Sequence, residues 1–379
     1  MTGRYIYKKR FLRILFTLVD ALGYPMSFPA RAFRGKKNGP PRRILLIRAD
    51  HIGDVVASTA VIKPLRESFP SARIDFMVPV WARDIIENDP GIDSTVPLNL
   101  PWFDRDPAGK DSPVRGFRRM VGLMRRGRYD AAIDLRGDFR HIAAMAIAGI
   151  PLRISYGITG GGFLLTDEVH YDRKAHETRK NLDLLLPLGV TVKESSPAVF
   201  LSGKDGLAGD QLFAEEGIDG DIAVIHPFPG HCSKAWDMRE FGKVIEFLAS
   251  KGFTVLVCGG EPDRGKLGTR HALSEVKDIC GKTSLGTFAS VCSKAGIFIG
   301  VDSGPAHIAA AVGTPSVILF SGVNSPGQWA PKGGNVSVIC PGEGKGLEHV
   351  AAGEVCGVID DVLEKGKSRK EKGKNIGKV

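Results

Sequence analysis

The chain has 379 residues, of which 43% are apolar and 25% charged, and a formal net charge of +10. That balance belongs to a globular protein and excludes a disordered, fibrous or multi-span membrane one. No run approaches the roughly 18–20 uninterrupted apolar residues of a transmembrane helix, which excludes an integral channel or transporter. At roughly 100–200 residues per domain the length predicts two domains.

The charge is unevenly placed. Residues 1–43 hold eleven Lys/Arg against the single acid Asp20, and residues 365–379 hold seven against Glu371, so the body between them is mildly acidic. A nucleic-acid enzyme would carry its positive field on the folded surface. Basic tails at both ends fit an anionic membrane surface, although the Lys/Gly/Ser-rich C-terminal run reads equally as a solvated, disordered tail. Near the N-terminus, Lys8-Lys9-Arg10 precedes an apolar segment that Arg13 and Asp20 interrupt, with no small-residue cleavage site after it, so a signal peptide is not indicated. Phe11, Leu12, Leu15, Leu18, Val19 and Leu22 share one helical face. They predict a basic amphipathic helix that either lies on a membrane surface or packs on the body.

After a Gly/Pro/Lys linker (Gly35 to Arg43), Ile44-Leu45-Leu46-Ile47 reads as a buried strand, followed by a turn and a helix from about Asp54 to Phe69. A strand near Arg73–Val78, a helix near Ala82–Glu87 and strands near Ala131–Leu135 and Arg153–Tyr156 continue the series. The arginine-rich stretch 116–140 reads as a solvated helix face or a contact for an anionic acceptor. A second series opens with strand Ile222–Ile225 and helix Arg239–Lys251, then strand Phe253–Cys258. Helix Thr287–Lys294, strand Ile297–Ile299, helix Pro305–Val312 and strand Ser316–Phe320 complete it. Strands alternating with helices predict parallel βαβ units. The two halves predict two doubly wound sheets, with ligands beyond the carboxyl ends of the strands and a cleft between the domains as the default site.

The six cysteines (Cys232, Cys258, Cys280, Cys292, Cys340 and Cys356) form no CxxC pair and no cluster with histidine, so no zinc site is expected. Several sit in apolar runs and read as buried free thiols of a reducing, cytoplasmic compartment. Gly281-Lys282-Thr283 resembles the end of a P-loop, but Val276 replaces its first glycine. Gly157 with Gly160-Gly161-Gly162 does not form a dinucleotide fingerprint, so a nicotinamide dehydrogenase is not supported.

The most informative segment is Gly300-Val301-Asp302-Ser303-Gly304-Pro305-Ala306-His307, with Gly313 and Pro315 ending the helix it opens. Amides at that helix start, with the Ser303 hydroxyl and His307, would suit a diphosphate; a capped helix with a core histidine is the plainer alternative. In Asp50-His51-Ile52-Gly53-Asp54, the last residue sits where a helix begins, as a general base or as a capping aspartate. The loop His226 to Trp236 delivers Lys234, either to a phosphate or to solvent. Gly259-Gly260-Glu261-Pro262-Asp263 places carboxylates at another strand end, for ribose hydroxyls or as an acidic turn.

Together these segments, from about Arg43 to Leu363, resemble glycosyltransferase family 9, the ADP-heptose:lipopolysaccharide heptosyltransferases. Beyond the motifs above, Phe320, Pro326 and Trp329 match the family's C-terminal pattern. The resemblance implies an α/β chain of GT-B architecture, two facing Rossmann-like domains with a cleft between them. The implied organisation is a basic amphipathic extension (1–42), an acceptor-binding domain (43–200), a nucleotide-sugar-binding domain (201–364) and a basic disordered tail (365–379). It implies an inverting transfer of a heptose, or a related sugar, from ADP-heptose to a lipopolysaccharide inner-core acceptor. Asp54 falls on the family's proposed base, and Lys234, Asp302, Ser303, Gly304 and His307 on its diphosphate contacts. Glu261 and Asp263 compete for the ribose. No metal is expected, because no Asp-x-Asp stands in the nucleotide site. The implied partners are the nucleotide sugar, a lipid-linked saccharide and the cytoplasmic face of the inner membrane, with no nucleic acid. Phe228-Pro229-Gly230 and Asp237 depart from the family's usual His-Pro-Gly-Ala and Trp-Pro. An epimerase or transferase using another nucleotide sugar, and a non-catalytic glycan-binding protein, are the rival readings.

Overall fold

The computed structural model describes residues 5–7, 9–32, 39–103, 112–266, 276–333 and 335–376. Much of the expected linker and the last three residues of the C-terminal tail lie outside them. The chain divides into two compact units, Met1–Ser195 and Ser196–Val379.

The first unit carries β1 (Arg43–Ile47), β2 (Arg73–Val78), β3 (Ser94–Pro97), β4 (Ala131–Asp134), β5 (Leu152–Ser155) and β6 (Asp167–Glu168). They form a parallel sheet of order β3-β2-β1-β4-β5-β6. Its helices are α1 (Arg10–Ala32), α2 (Ile52–Ser58), α3 (Ile62–Ser68), α4 (Arg83–Ile86), α5 (Pro113–Gly127), α6 (Phe139–Ile147) and α7 (Glu177–Asp183). β1 is central, with Ile44 opposite both Ile74 and Ala131. A strand buried on both faces has to be apolar throughout, which is why Ile44–Ile47 shows no alternation.

The helix expected over Asp54–Phe69 is divided into α2, a tight turn at Thr59–Val61 and α3. Pro64 supplies the reason: it has no amide to donate to the carbonyl of Ala60. The hydroxyl of Ser195 donates to that carbonyl instead, at 2.7 Å.

The second unit repeats the plan with β7 (Asp221–His226), β8 (Phe253–Val257), β9 (Val276–Asp278), β10 (Ile297–Val301), β11 (Ser316–Leu319) and β12 (Val336–Ile339). The order is β12-β11-β10-β7-β8-β9, again all parallel. Its helices are α8 (Gly203–Glu216), α9 (Met238–Ser250), α10 (Leu285–Lys294), α11 (Gly304–Ala311), α12 (Pro326–Trp329) and α13 (Ala352–Ile376). Phe241, Val255, Ile299, Val355 and Ile359 lie in one core, which also takes up Trp236. α13 starts in that core and keeps helical backbone to Ile376, so residues 365–376 extend a helix where a disordered tail was expected.

In both sheets the order reverses between the unit's first and fourth strands, β1/β4 and β7/β10. Loops diverge at such a point and leave room for ligands beyond the strand ends.

The N-terminal helix packs on the body by one face and leaves the opposite face exposed. On one face the buried carboxylate of Asp20 accepts from the Tyr5 hydroxyl at 2.8 Å and the Gly161 amide at 2.7 Å. Phe16 packs edge-on against Phe139 at 5.0 Å, and Gly23 lies so close to the Phe163 ring that a Cβ there would stand 2.4 Å from it. On the opposite face Phe11, Ile14, Leu15, Leu18, Leu22 and Met26 remain exposed, Met26 by 82%.

Candidate active site

In the first unit the chemistry gathers where β1 and β4 diverge. Arg48 follows β1 directly and is buried, and its guanidinium organises the carboxylates around it. Its Nε donates to Asp50 at 2.8 Å, and its two terminal nitrogens reach Asp54 at 2.6 Å and Glu177 at 3.3 Å. It also donates to the carbonyl of Leu135 at 2.5 Å and to the Asn181 side chain at 3.4 Å. Arg136, just past β4, donates to the second oxygen of Asp50 and lies 4.3 Å from the Phe103 ring centroid. A buried guanidinium is tolerable only with such partners, so Arg48 and its acids are mutually obligatory.

Asp54 stands in the first turn of α2, behind His51 at the cap position, whose side chain caps nothing. One Asp54 oxygen is held by Arg48, and the other faces the His51 ring at 3.4 Å. Burial would raise the Asp54 pKa, but the charge of Arg48, with His51 and Arg136, holds it well below the usual carboxylate range. Asp54 is therefore ionised at neutral pH, with one oxygen locked and one available to a hydroxyl proton. A carboxylate this acidic is a weak base, which favours proton transfer concerted with bond formation. Asp50, His51 and Asp54 bring metal-ligand-type atoms within 4.8 Å of one another. Arg48 and Arg136 already hold both oxygens of Asp50 and one of Asp54, so a divalent cation would face two guanidinium charges, and the set does not fit one.

In the second unit the corresponding switch point joins β7 to β10. The Ser303 hydroxyl lies 3.2 Å from His226 Nδ1, so Ser303 does not cap α11 with its side chain. By contrast α6, α8, α9 and α10 are capped by Asp138, Ser202, Asp237 and Ser284. The first-turn amides of α11, starting at Gly304, thus carry the positive end of the helix dipole without a side-chain acceptor at the cap. His307 sits in the same turn, largely buried. Burial pulls His226 down to about 4, so its imidazole is neutral.

Lys234 Nζ meets Asp302 at 2.6 Å, and the Asn324 amide donates to the same carboxylate oxygen at 2.9 Å. Asp302, Ser303, Gly304, His307 and Lys234 are thereby gathered at the end of β10. Of the two acids after β8, Asp263 is engaged locally: one oxygen accepts from the Gly260 amide at 3.0 Å and the other pairs with Lys266 at 2.7 Å. The Glu261 side chain is 68% exposed, its nearest ion-pair partner Arg264 at 3.5 Å. Trp236 is a core residue, its indole donating to the carbonyl of Val350 at 3.0 Å.

Local spacing marks Asp54 but not its holders. Arg48 and His226 carry a readable signal, a polar residue closing an apolar strand. Glu177, Asn181 and Asn324 have none, since each reaches its site only through the fold; Arg136 falls in the arginine-rich stretch that reads as a solvated face or an acceptor contact, not as a partner of Asp50.

The family model for glycosyltransferase family 9 (heptosyltransferase) matches residues 117–352. Lipopolysaccharide heptosyltransferase 3 of Escherichia coli is 27% identical over 293 residues, covering 74% of this chain and 82% of that protein. A glycosyl transferase family 9 structure from Veillonella parvula matches with a TM-score of 0.76 at 20% identity, covering 86% of this chain and 97% of that one. ADP-heptose lipopolysaccharide heptosyltransferase II of E. coli matches with a TM-score of 0.72 at 21% identity, covering 86% and 99%. The fold is thus the α/β GT-B type, built from two doubly wound sheets. The chain is a glycosyltransferase and belongs to family 9, the heptosyltransferase family.

Proposed function

We propose that this enzyme transfers a heptose from ADP-heptose to a saccharide of the lipopolysaccharide inner core, with inversion at the anomeric carbon. The observation that carries the mechanism is Asp54, ionised, with one oxygen fixed by Arg48 at 2.6 Å and the other free of a guanidinium. The acceptor hydroxyl oxygen forms its bond to the anomeric carbon as its proton passes to that oxygen of Asp54. The bond from the anomeric carbon to the diphosphate breaks, and its electron pair leaves with ADP. A single displacement assisted by one base inverts the centre, on the logic of inverting glycosidases.

In the second unit the Gly304 amide, Ser303, His307 and Lys234 stabilise charge on the departing diphosphate. Asp302 serves as a positioning residue, since a carboxylate turned on a diphosphate would repel it while one bound to Lys234 fixes the ammonium. Glu261 takes the ribose hydroxyls, both oxygens of Asp263 being engaged. These groups supply the positive charge without a metal, and turnover is expected to survive a chelator. The exposed apolar face of α1 holds the enzyme peripherally on the cytoplasmic face of the inner membrane, where a lipid-linked acceptor resides. Names of relatives support donor and acceptor: the similar E. coli enzymes are lipopolysaccharide heptosyltransferases, one of them named for ADP-heptose. The test is reaction with ADP-heptose and a heptose-deficient lipopolysaccharide, followed by NMR of the product. Inversion of the donor's anomeric configuration is expected, and retention would overturn the mechanism.

A further inference from the structure

Helix α5 presents Arg115, Arg118, Arg119, Arg125 and Arg126 to solvent and contains no acidic residue. Among the described residues no carboxylate pairs with Arg118, Arg119 or Arg126. Its opposite face, Met120, Val121 and Met124, packs with Ile142 and Met145 of α6 over Leu45, Ile47 and Ala132 of the sheet. α6 in turn meets α1 through the contact of Phe139 with Phe16. α5 and α6 therefore share one face of the first sheet, and α1 packs against the start of α6.

The exposed stripe of α1 recurs at three- and four-residue steps from Phe11 to Met26, and Ile147 at the end of α6 adds a further exposed apolar residue. Single exposed apolar side chains are ordinary, but a continuous helical stripe is not. α1 is no loose tether, because the buried Asp20 ties it to Tyr5 and Gly161, and the Tyr24 hydroxyl donates to Glu168 at 2.5 Å.

We infer that this side of the first unit is one docking surface for an anionic bilayer: the α1 stripe enters the interface while the arginine face of α5 binds phospholipid headgroups. The inference rests on the reading of α1 as a membrane anchor and adds a second contact that fixes how the unit faces the lipid. Charge complementarity selects the occupant. A second copy seated on the same side would set arginines against arginines or against an apolar stripe, whereas a bilayer with phosphate headgroups over an acyl interior matches both.

The test is flotation of the full chain with vesicles of phosphatidylcholine alone or mixed with phosphatidylglycerol. It compares wild type, Leu18→Asn/Leu22→Asn, Arg118→Gln/Arg119→Gln/Arg126→Gln, and the same three arginines changed to Lys. Wild type should prefer anionic vesicles and release with salt. The glutamine variant should lose on the order of a hundredfold in affinity for anionic vesicles and nothing for neutral ones. The lysine variant should keep its affinity, as diffuse headgroup binding requires, which also controls for folding. The leucine variant should lose both kinds of vesicle. If the glutamine variant binds anionic vesicles like wild type while the leucine variant does not, the α5 contact is wrong and the anchor stands. If wild type floats with neither, both readings fall. Unchanged vesicle binding with a raised KM for acceptor would assign the arginines to the acceptor and overturn the inference. So would a leucine variant that alters only self-association.

Discussion

Around Asp54 the decisive residue is Arg48, which holds three acids in a space with little water. Arg48→Ala leaves Asp50, Asp54 and Glu177 as neighbouring acids without their shared cation. Removing one partner of a buried ion pair costs about 3–5 kcal/mol. The urea midpoint should fall accordingly, and a variant as stable as wild type would mean that water already compensates these charges. The same guanidinium gives Asp54 its acidity, so a gain in basicity from weakening Arg48 would come with lost order. Asp54 is legible in the sequence because a glycine and an acid at a strand-to-helix turn are visible locally. Glu177 and Asn181 are not, because their role depends on a tertiary approach that no spacing encodes. Spacing does not separate Glu261 from Asp263 either; the turn's own hydrogen bonds, which engage Asp263, are visible only in the fold.

Among the elements, the central strands were legible and the edges were not. β1, β7 and β10 are apolar runs because both their faces are covered. β3, β6, β9 and β12 are short and carry charged or half-buried residues, which read as loops. α1 is legible as amphipathic, with packing on the body as one of its two expected roles, but its docking face is not, since that face depends on Asp20, a residue that looks like an interruption of the apolar pattern and is in fact its anchor. Gly23→Val tests that docking. A side chain there meets the Phe163 ring, so α1 should lift and lose the buried bonds of Asp20, each worth about 1–3 kcal/mol when a charged group is involved. Limited proteolysis should then cut within α1 faster than in wild type. Equal cutting rates would show that α1 is not held through this face.

Across the whole molecule, the two units should respond to pH in opposite directions, because His226 of the second unit and His141 of the first are buried in different states. His226, in the second unit, is depressed to about 4 by burial. As pH falls below 6.5 the unfolded chain takes up a proton that the folded unit refuses, so stability declines toward pH 4, by about 3 kcal/mol in all. For His141, in the first unit, burial opposes the charged form, but Asp134 at 2.9 Å prevails and raises the pKa. Its contribution is complete below 6.5 and is lost as pH rises through the folded value. Calorimetry should show two transitions, the second unit's weakening on the acid side of 6.5 and the first unit's on the alkaline side. His226→Asn should flatten the acid limb, and an unchanged limb would remove His226 as its source.

On the proposed mechanism the chemistry is divided, Asp54 of the first unit activating the acceptor and the second unit holding the donor. The most direct measurement is turnover of ADP-heptose with a heptose-deficient acceptor by Asp54→Asn, alongside its affinity for ADP by calorimetry. Turnover should fall by about 10²–10⁴-fold with ADP affinity unchanged. Turnover within a few-fold of wild type would contradict the mechanism.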